Sequence, residues 1–200
     1  MAEITASTVR ELRERTGIGM MACKKALQET DGDLDRAVDY LRGQGMAAVE
    51  KRSSRDALEG LVTSYIHPGN RLGVLVEVNC ETDFVARTDD FQQFAKDVAM
   101  HIAAEQPRAV DRDSLDPQLV EHERSIFLEQ AKNEGKPENI AEKIVTGRLE
   151  KFFQDACLME QAFVKNPDQS IEALVTELTA KVGEKISIRR FSCFRLGVGD

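Results

Sequence analysis

The sequence is short of several things. Its 200 residues hold 27 Lys and Arg against 35 Asp and Glu, a formal net charge of −8. Neutralising nucleic-acid phosphates needs a basic surface, and so does docking on anionic lipid, so neither partner is expected. Long apolar runs are missing: no stretch approaches the roughly 18 residues that a membrane helix needs. The opening residues, MAEITASTVRELRERTG, carry acidic groups and no apolar centre, so no secretory signal is expected there. The four cysteines, Cys23, Cys80, Cys157 and Cys193, are scattered with no C-x-x-C pair. That argues against a zinc site and a disulfide framework, and for reduced thiols in a cytoplasmic protein. His67, His101 and His122 are equally scattered, so no metal site is expected.

The motifs of common chemistries are missing too. There is no G-x-x-x-x-G-K-[ST] and no G-x-G-x-x-G after a strand, so the chain itself is expected to hold no nucleotide and no cofactor. There is no H-E-x-x-H, and His122-Glu123 stands without a second ligand. There is no G-x-S-x-G elbow. No Ser, Cys or Thr can be paired with a base by spacing, so the expectation is a protein that is not an enzyme and has no catalytic residues.

What is present is a foldable chain. A hydrophobic fraction of 42% is enough for a core, and the length suits one or two domains. In the first 52 residues Thr5 is a suitable N-cap, with Ile4 and Val9 placed as a hydrophobic staple. Val9 and Leu12 mark a short amphipathic helix that Gly17 ends. MMACKKALQET gives a second helix with Met20, Cys23, Ala26 and Leu27 at helical spacing. After Asp31-Gly32, Asp33 caps a third helix whose stripe is Leu34, Ala37, Val38 and Leu41, expected to close at Gly43 and Gly45. Three helices in so few residues stand near the lower limit for independent folding.

KRSSRD at 51–56 reads as a linker. Beyond it, LEGLVTSYIH and RLGVLVEVNC flank Pro68-Gly69-Asn70 as a β-hairpin, with Leu72, Val74, Val76 and Val78 on one face. A helix from about Asp89 to Ala104 buries Phe91, Phe94, Val98 and Ile102. A loop at 107–117 leads to two charged helical arms separated by Gly135-Lys136-Pro137. Ile126, Leu128 and Ala131 are placed to face Ile140, Ile144 and Leu149. CLMEQAFV is read as a strand. Ser170 caps a helix with Ile171, Leu174, Val175, Leu178 and Val182 inward, and KISIRRFSCFRLG is a closing strand.

Two local features invite a functional reading. Met20 and Met21 are adjacent beside Gly17 and Gly19, and adjacent helix positions lie about 100° apart. Either both fill the small bundle, or one is an exposed, adaptable thioether on a binding face. In Thr82-Asp83-Phe84-Val85, directly after a strand, either Asp83 caps the next helix with Phe84 in the core, or Phe84 is a wedge for a partner's pocket with Asp83 beside it. Arg189-Arg190 reads as a solvated face. Cys193 reads as a small buried hydrophobe, or as an edge thiol facing its mate across a dimer.

These residues resemble the elongation factor Ts family, exchange factors for the translational GTPase elongation factor Tu. The resemblance is carried by LRERTGIGMMACKKALQETDGDLDRAVDYLRGQG at 12–45, VEVNCETDFVAR at 76–87, GKPENIAEKIVTGRLEKFFQDACLMEQAFVK at 135–165 and RRFSCFRLG at 189–197. It implies an α+β fold: a three-helix ubiquitin-associated-like domain at 1–52, and a core at 57–200 with antiparallel sheet, packing helices and a projecting coiled-coil hairpin at about 118–156. It implies partner contacts by Arg13, Met20 and Met21 and by Thr82, Asp83, Phe84 and Val85, with His101 a weaker candidate. It implies promotion of GDP release by intrusion beside the partner's phosphate and Mg²⁺ region. Long members of the family carry two related core halves; this chain has room for one, which implies a homodimer with two bound partners. The competing expectation is a passive adaptor or chaperone-like module without exchange activity. A metal-dependent hydrolase using Asp83 with His67 or His101 has no ligand spacing to support it.

Overall fold

The computed structural model describes residues 4–52, 54–135 and 137–198, with backbone alone at 46–51. The chain forms two compact units. The first comprises Met1–Leu61, Val78–Gln92 and Ala173–Ser187, and the second Val62–Glu77, Gln93–Glu172 and Ile188–Asp200. Helices and antiparallel strands mix throughout, an α+β architecture.

In the first unit, helices α1 (Ala6–Thr16), α2 (Met20–Glu29) and α3 (Leu34–Arg52) surround one small core. It holds Val9, Leu12, Cys23, Ala26, Leu27, Ala37 and Leu41, with Ile4, Ile18, Leu34, Val38 and Tyr40 packed around them. Each fully buried Leu contributes about 1.5–3 kcal/mol of transfer free energy, so Leu12 and Leu27 dominate a cluster of this size. The helix ends follow local chemistry. Thr5 caps α1 by accepting from the Thr8 N–H at 3.3 Å. Gly17 adopts φ 68° and returns its N–H to the Arg13 carbonyl, an αL ending that a residue with Cβ disfavours. Asp33 accepts from the Arg36 N–H at 2.9 Å as α3 begins.

Two expectations are corrected here. Met20 does not join the core stripe of α2; Cys23, Ala26 and Leu27 do. Nor does α3 stop at Gly43 and Gly45: it runs on to Arg52, through the start of the expected linker. An interior Gly costs a helix only about 1 kcal/mol against Ala, and the Met-Ala-Ala-Val-Glu-Lys run after Gly45 favours helix. A Cβ at Gly45 would lie 3.4 Å from the Thr176 methyl group, so this glycine lets α3 pass close to helix α8 (Ile171–Val182). Ser53 in that linker lies outside the described residues.

Strands β1 (Glu59–Ile66), β2 (Leu72–Cys80) and β5 (Ser187–Arg195) form a sheet in the order β1-β2-β5. Val74, Val76 and Val78 are buried while Leu75 points to solvent, the period-two alternation of a sheet covered on one side. After the one-turn helix α4 (Asp83–Ala86) comes α5 (Asp89–Glu105), whose Phe91, Phe94, Val98 and Ile102 are all buried.

The second unit contains the helical hairpin of α6 (Pro117–Asn133) and α7 (Glu138–Ala156). Asp116 caps α6, accepting from the Gln118 N–H at 2.9 Å, with Pro117 at the first helical position. Gly135 has φ 70° and Pro137 caps α7, while Lys136 between them lies outside the described residues. The seam matches the expected one in part: Ala131 is buried, and Ile126, Leu128, Ile144 and Leu149 are half-buried. Ala131, Ala141 and Val145 are its buried residues, and Ile140 is exposed. The small side chains let the two helices approach, and Arg148 on α7 reaches Gln130 on α6 at 2.6 Å and Glu134, just past the end of α6, at 3.0 Å. At the hairpin's base Arg112 donates to both Glu150 and Glu160 and stacks 4.4 Å above the Phe153 ring.

The expected strand over CLMEQAFV is instead a 3-10 turn (Leu158–Glu160) and then the two-residue strand β3 (Ala162–Phe163), which pairs antiparallel with β4 (Asn166–Ser170). The Leu158 and Met159 N–H groups donate to the Ala109 and Val110 carbonyls. The loop after α5 thus takes the hydrogen bonds that a sheet neighbour would need.

A braced aromatic turn and a thioether helix face

The Thr82–Val85 turn starts where β2 ends. Cys80 is buried and its thiol donates to the Thr82 carbonyl at 3.1 Å. Burial, and the nearby Glu184 carboxylate, push that thiol up to about 11, so it stays protonated. Glu81 accepts from the Lys185 N–H at 2.7 Å and pairs with Arg55 at 3.2 Å. The Lys185 N–H, with help from Arg55, holds this carboxyl below its ordinary range. Thr82 gives its N–H and its hydroxyl proton to the two oxygens of Glu184, at 3.0 and 2.7 Å. The hydroxyl's lone pair then caps α4, accepting from the Val85 N–H at 3.5 Å.

The chain is therefore tied down as far as Thr82, and the next two residues are presented to solvent. Phe84 is 77% exposed on the one-turn helix. Asp83 is half-buried and pairs with Arg87 at 2.6 Å. Such a partly exposed i,i+4 pair contributes at most about 1 kcal/mol, so it steers Asp83 more than it holds the fold. Val85 is half-buried, and its carbonyl accepts from the Thr88 hydroxyl at 2.8 Å. The packing alternative for this motif is overturned: Thr82, not Asp83, is the cap, and Phe84 lies outside the core.

The second surface is on α2. Met20 is 40% exposed and Met21 79% exposed. The core-filling alternative is overturned: neither methionine belongs to the small core, Met20 being partly exposed and Met21 pointing outward. Met21, Lys24, Lys25 and Gln28 line a shallow, open depression along this helix. Arg13 on α1 is exposed.

His101 is not part of either surface. It is fully buried, with Nδ1 accepting from the Val164 N–H at 3.2 Å and Nε2 against the Gln161 Oε1 at 3.0 Å. Gln161 donates its amide to the Asp155 carbonyl, which fixes its oxygen toward the ring and the proton on Nε2. Burial lowers this imidazole below its ordinary value, so it is neutral. As a contact candidate His101 is corrected to an internal tie. A helical i+3/i+4 reading of α5 would have found this, because His101 is three residues beyond Val98 on the buried stripe. Cys193, by contrast, is exposed, which overturns its reading as a buried hydrophobe. Arg190 and Arg189 both pair with Glu77, at 2.7 and 3.7 Å.

Sequence reasoning found the exposed residues and missed what holds them. Glu184 is 102 residues from Thr82, and Lys185 and Arg55 are 104 and 26 residues from Glu81. No local pattern announces partners at such separations. The only signal was the acidic residue directly after the helix-ending Gly183.

Among the described residues no helix is long and apolar enough to cross a membrane, and no three His, Cys, Asp or Glu side chains gather as a metal site. The features that are assembled in this α+β fold are a braced exposed aromatic and an exposed thioether face. Residues 47–197 match the family model described as Elongation factor TS. The chain is 59% identical over 197 residues to Elongation factor Ts of Alkaliphilus oremlandii, covering 98% of this chain and 91% of that protein. It is 57% identical over 196 residues to the Elongation factor Ts proteins of Heliobacterium modesticaldum and Carboxydothermus hydrogenoformans, covering 98% of this chain and 91% and 90% of theirs. The chain belongs to the elongation factor Ts family.

Proposed function

We propose that this chain is the guanine nucleotide exchange factor of elongation factor Tu, and that Phe84 on its braced turn is the wedge that promotes GDP release during translation elongation. Family membership supports the role, and the observation that carries the mechanism is an aromatic 77% exposed on a turn whose base is held by hydrogen bonds. The partner grips GDP through phosphate contacts and Mg²⁺, which neutralises phosphate charge. A wedge needs only to favour the arrangement in which that site is distorted. Thr82 and Val85 shape the turn, Asp83 offers a carboxylate beside the ring, and Arg13, Met20 and Met21 supply docking energy through a separate three-helix, ubiquitin-associated-like domain at 1–52.

The magnitudes are attainable. A 10⁴-fold acceleration needs about 5.5 kcal/mol of differential binding, and single buried anchors contribute about 2–4 kcal/mol. The coupling is reciprocal: a factor that weakens nucleotide binding is itself weakened by nucleotide. No bond is made or broken, so no residue of this chain acts as a catalytic acid or base. The factor works in the cytoplasm, binding neither nucleic acid nor nucleotide itself. The core at 57–200 pairs with a second copy, each copy binding one partner, and the coiled-coil hairpin reaches another part of elongation factor Tu. Exposed Val62 and Ile66 on β1 and Leu75 on β2 support pairing through the sheet.

Release of a fluorescent GDP from elongation factor Tu, with and without the chain, tests the proposal. Acceleration that saturates with the chain is expected. Binding without acceleration would establish the adaptor reading instead. Sedimentation of the parental chain against Leu75→Asp tests the pairing, with a dimer and a monomer expected respectively.

A further inference from the structure

The brace under the aromatic turn is as specific as the turn itself. Glu184 comes directly after Gly183, which ends α8 at φ 77° with its N–H on the Thr179 carbonyl. Both Glu184 oxygens are used on a single residue, Thr82, across a sequence separation of 102. The neighbouring residues make the reciprocal link, since Glu81 accepts from the Lys185 backbone N–H. Two adjacent pairs, Glu81-Thr82 and Glu184-Lys185, are thus cross-tied by charge-assisted hydrogen bonds, which are shorter and about twice as strong as neutral ones. None of these four residues is exposed, and none presents a large apolar group to a partner. The Glu184 carboxylate also decides the direction of the Thr82 hydroxyl. With its proton given to Glu184, that oxygen has a lone pair for the Val85 N–H, the cap on which α4 depends.

We infer that Glu184 is a positioning residue for nucleotide exchange: by orienting the Thr82 cap it pre-sets Phe84 in its docking pose. This rests on the reading of Phe84 as the wedge. The physical need is clear. An exposed ring on a four-residue helix would otherwise sample several poses, and ordering it on docking would cost binding energy. One turn of helix cannot hold itself, because nucleation fixes several dihedrals for a single hydrogen bond. The carboxylate from the α8–β5 connection supplies the missing constraint from outside the turn. Glu184→Gln keeps the shape but presents an N–H₂ group to a site where both partners are donors, so one tie is lost and the Thr82 hydroxyl is free to turn.

The test pairs a functional cycle with a spectroscopic reporter. Saturating GDP release from elongation factor Tu is measured for the parental chain, Glu184→Gln, Phe84→Ala and the double variant, with thermal melting of each. Glu184→Gln is expected to slow release about tenfold, the scale of one lost charge-assisted hydrogen bond, and to add little on top of Phe84→Ala. Thr82→Val, which removes the hydroxyl but keeps the side-chain shape, is expected to slow release as Glu184→Gln does. The chain has no tryptophan, so Phe84→Trp gives a single reporter at the turn. Its fluorescence anisotropy is expected to fall when Glu184→Gln is added, with melting unchanged. A full additional loss in the Phe84→Ala background, or unchanged release and anisotropy in folded Glu184→Gln, would overturn the inference. Unchanged release in Phe84→Ala would instead overturn the wedge reading beneath it.

Discussion

The turn at Phe84 and the face of α2 carry equally exposed apolar side chains on very different foundations. Phe84 and Met21 are 77% and 79% exposed. Beneath Phe84 lie a capped turn, two carboxylates bound to backbone and hydroxyl donors, and a thiol on the Thr82 carbonyl. Beneath Met20 and Met21 lies a helix that starts at Gly19 without a side-chain cap and rests on a core of only Cys23, Ala26 and Leu27 from its own length. A stiff aromatic with two torsions suits the displacement of something in a partner. An unbranched thioether suits a surface that only has to fit. Equal exposure thus conceals a division between forcing and holding.

That division can be broken in several ways. The largest effect is expected from Phe84→Ala, which should reduce saturating GDP release by about 30-fold, a hot-spot loss of roughly 2 kcal/mol, with the melting temperature unchanged. Phe84→Met should recover little of it, because volume without rigidity is not the requirement. On α2, Met20→Ala is expected to weaken complex formation about five- to tenfold, at the smaller end of interface truncations, while the rate at saturation stays. Titration of the release rate against factor concentration separates the two. Unfolding of Met20→Ala in the melting curve would instead return that residue to the core. Met21→Leu should be close to neutral, since Leu and Met conserve volume.

A smaller effect concerns pH. The Glu81 carboxyl is held below its ordinary 4.5 by the Lys185 N–H and then by Arg55. Its folded value is depressed, so the stabilisation is present above 4.5 and is lost as pH falls below it toward the folded value. The brace should therefore loosen in that acid window, and anisotropy of Trp at position 84 in Phe84→Trp should fall there before far-UV dichroism changes. Among the described residues no carboxylate is tied to the backbone beneath the α2 face, which should respond less. The smallest effect is in thiol chemistry. Exposed Cys193 should react first with an alkylating reagent under native conditions, and buried Cys80 beneath the turn, like Cys157, only much later, since burial pushes both thiols up to about 11.

Much of this was legible in the sequence. Thr5, Gly17 and Asp33 announce helix ends because capping is local chemistry, and Val74, Val76 and Val78 announce a covered sheet face because its period is two. What failed did so for non-local reasons. Gly43 and Gly45 looked like stops, yet the second of them lies against Thr176 on a helix far along the chain. CLMEQAFV looked like a strand, yet its backbone is claimed by the loop at 109–110. At the site, the residue types and their order pointed to Met20, Met21 and Phe84, but whether they were packed or presented depended on partners such as Glu184 that only folding brings near. His101 is the exception: its place three residues beyond Val98 on the buried stripe of α5 was legible locally, although its hydrogen-bond partners, Gln161 and the Val164 N–H, come from a distant turn.

Phe84 does the forcing, on this view, while the rest of the surface does the holding. Stopped-flow release of fluorescent GDP from elongation factor Tu, at factor concentrations that saturate the complex, measures this directly. Phe84→Ala is expected still to bind elongation factor Tu but to leave a saturated release rate far below the parental one. An equal saturated rate for the two proteins would contradict that division of labour.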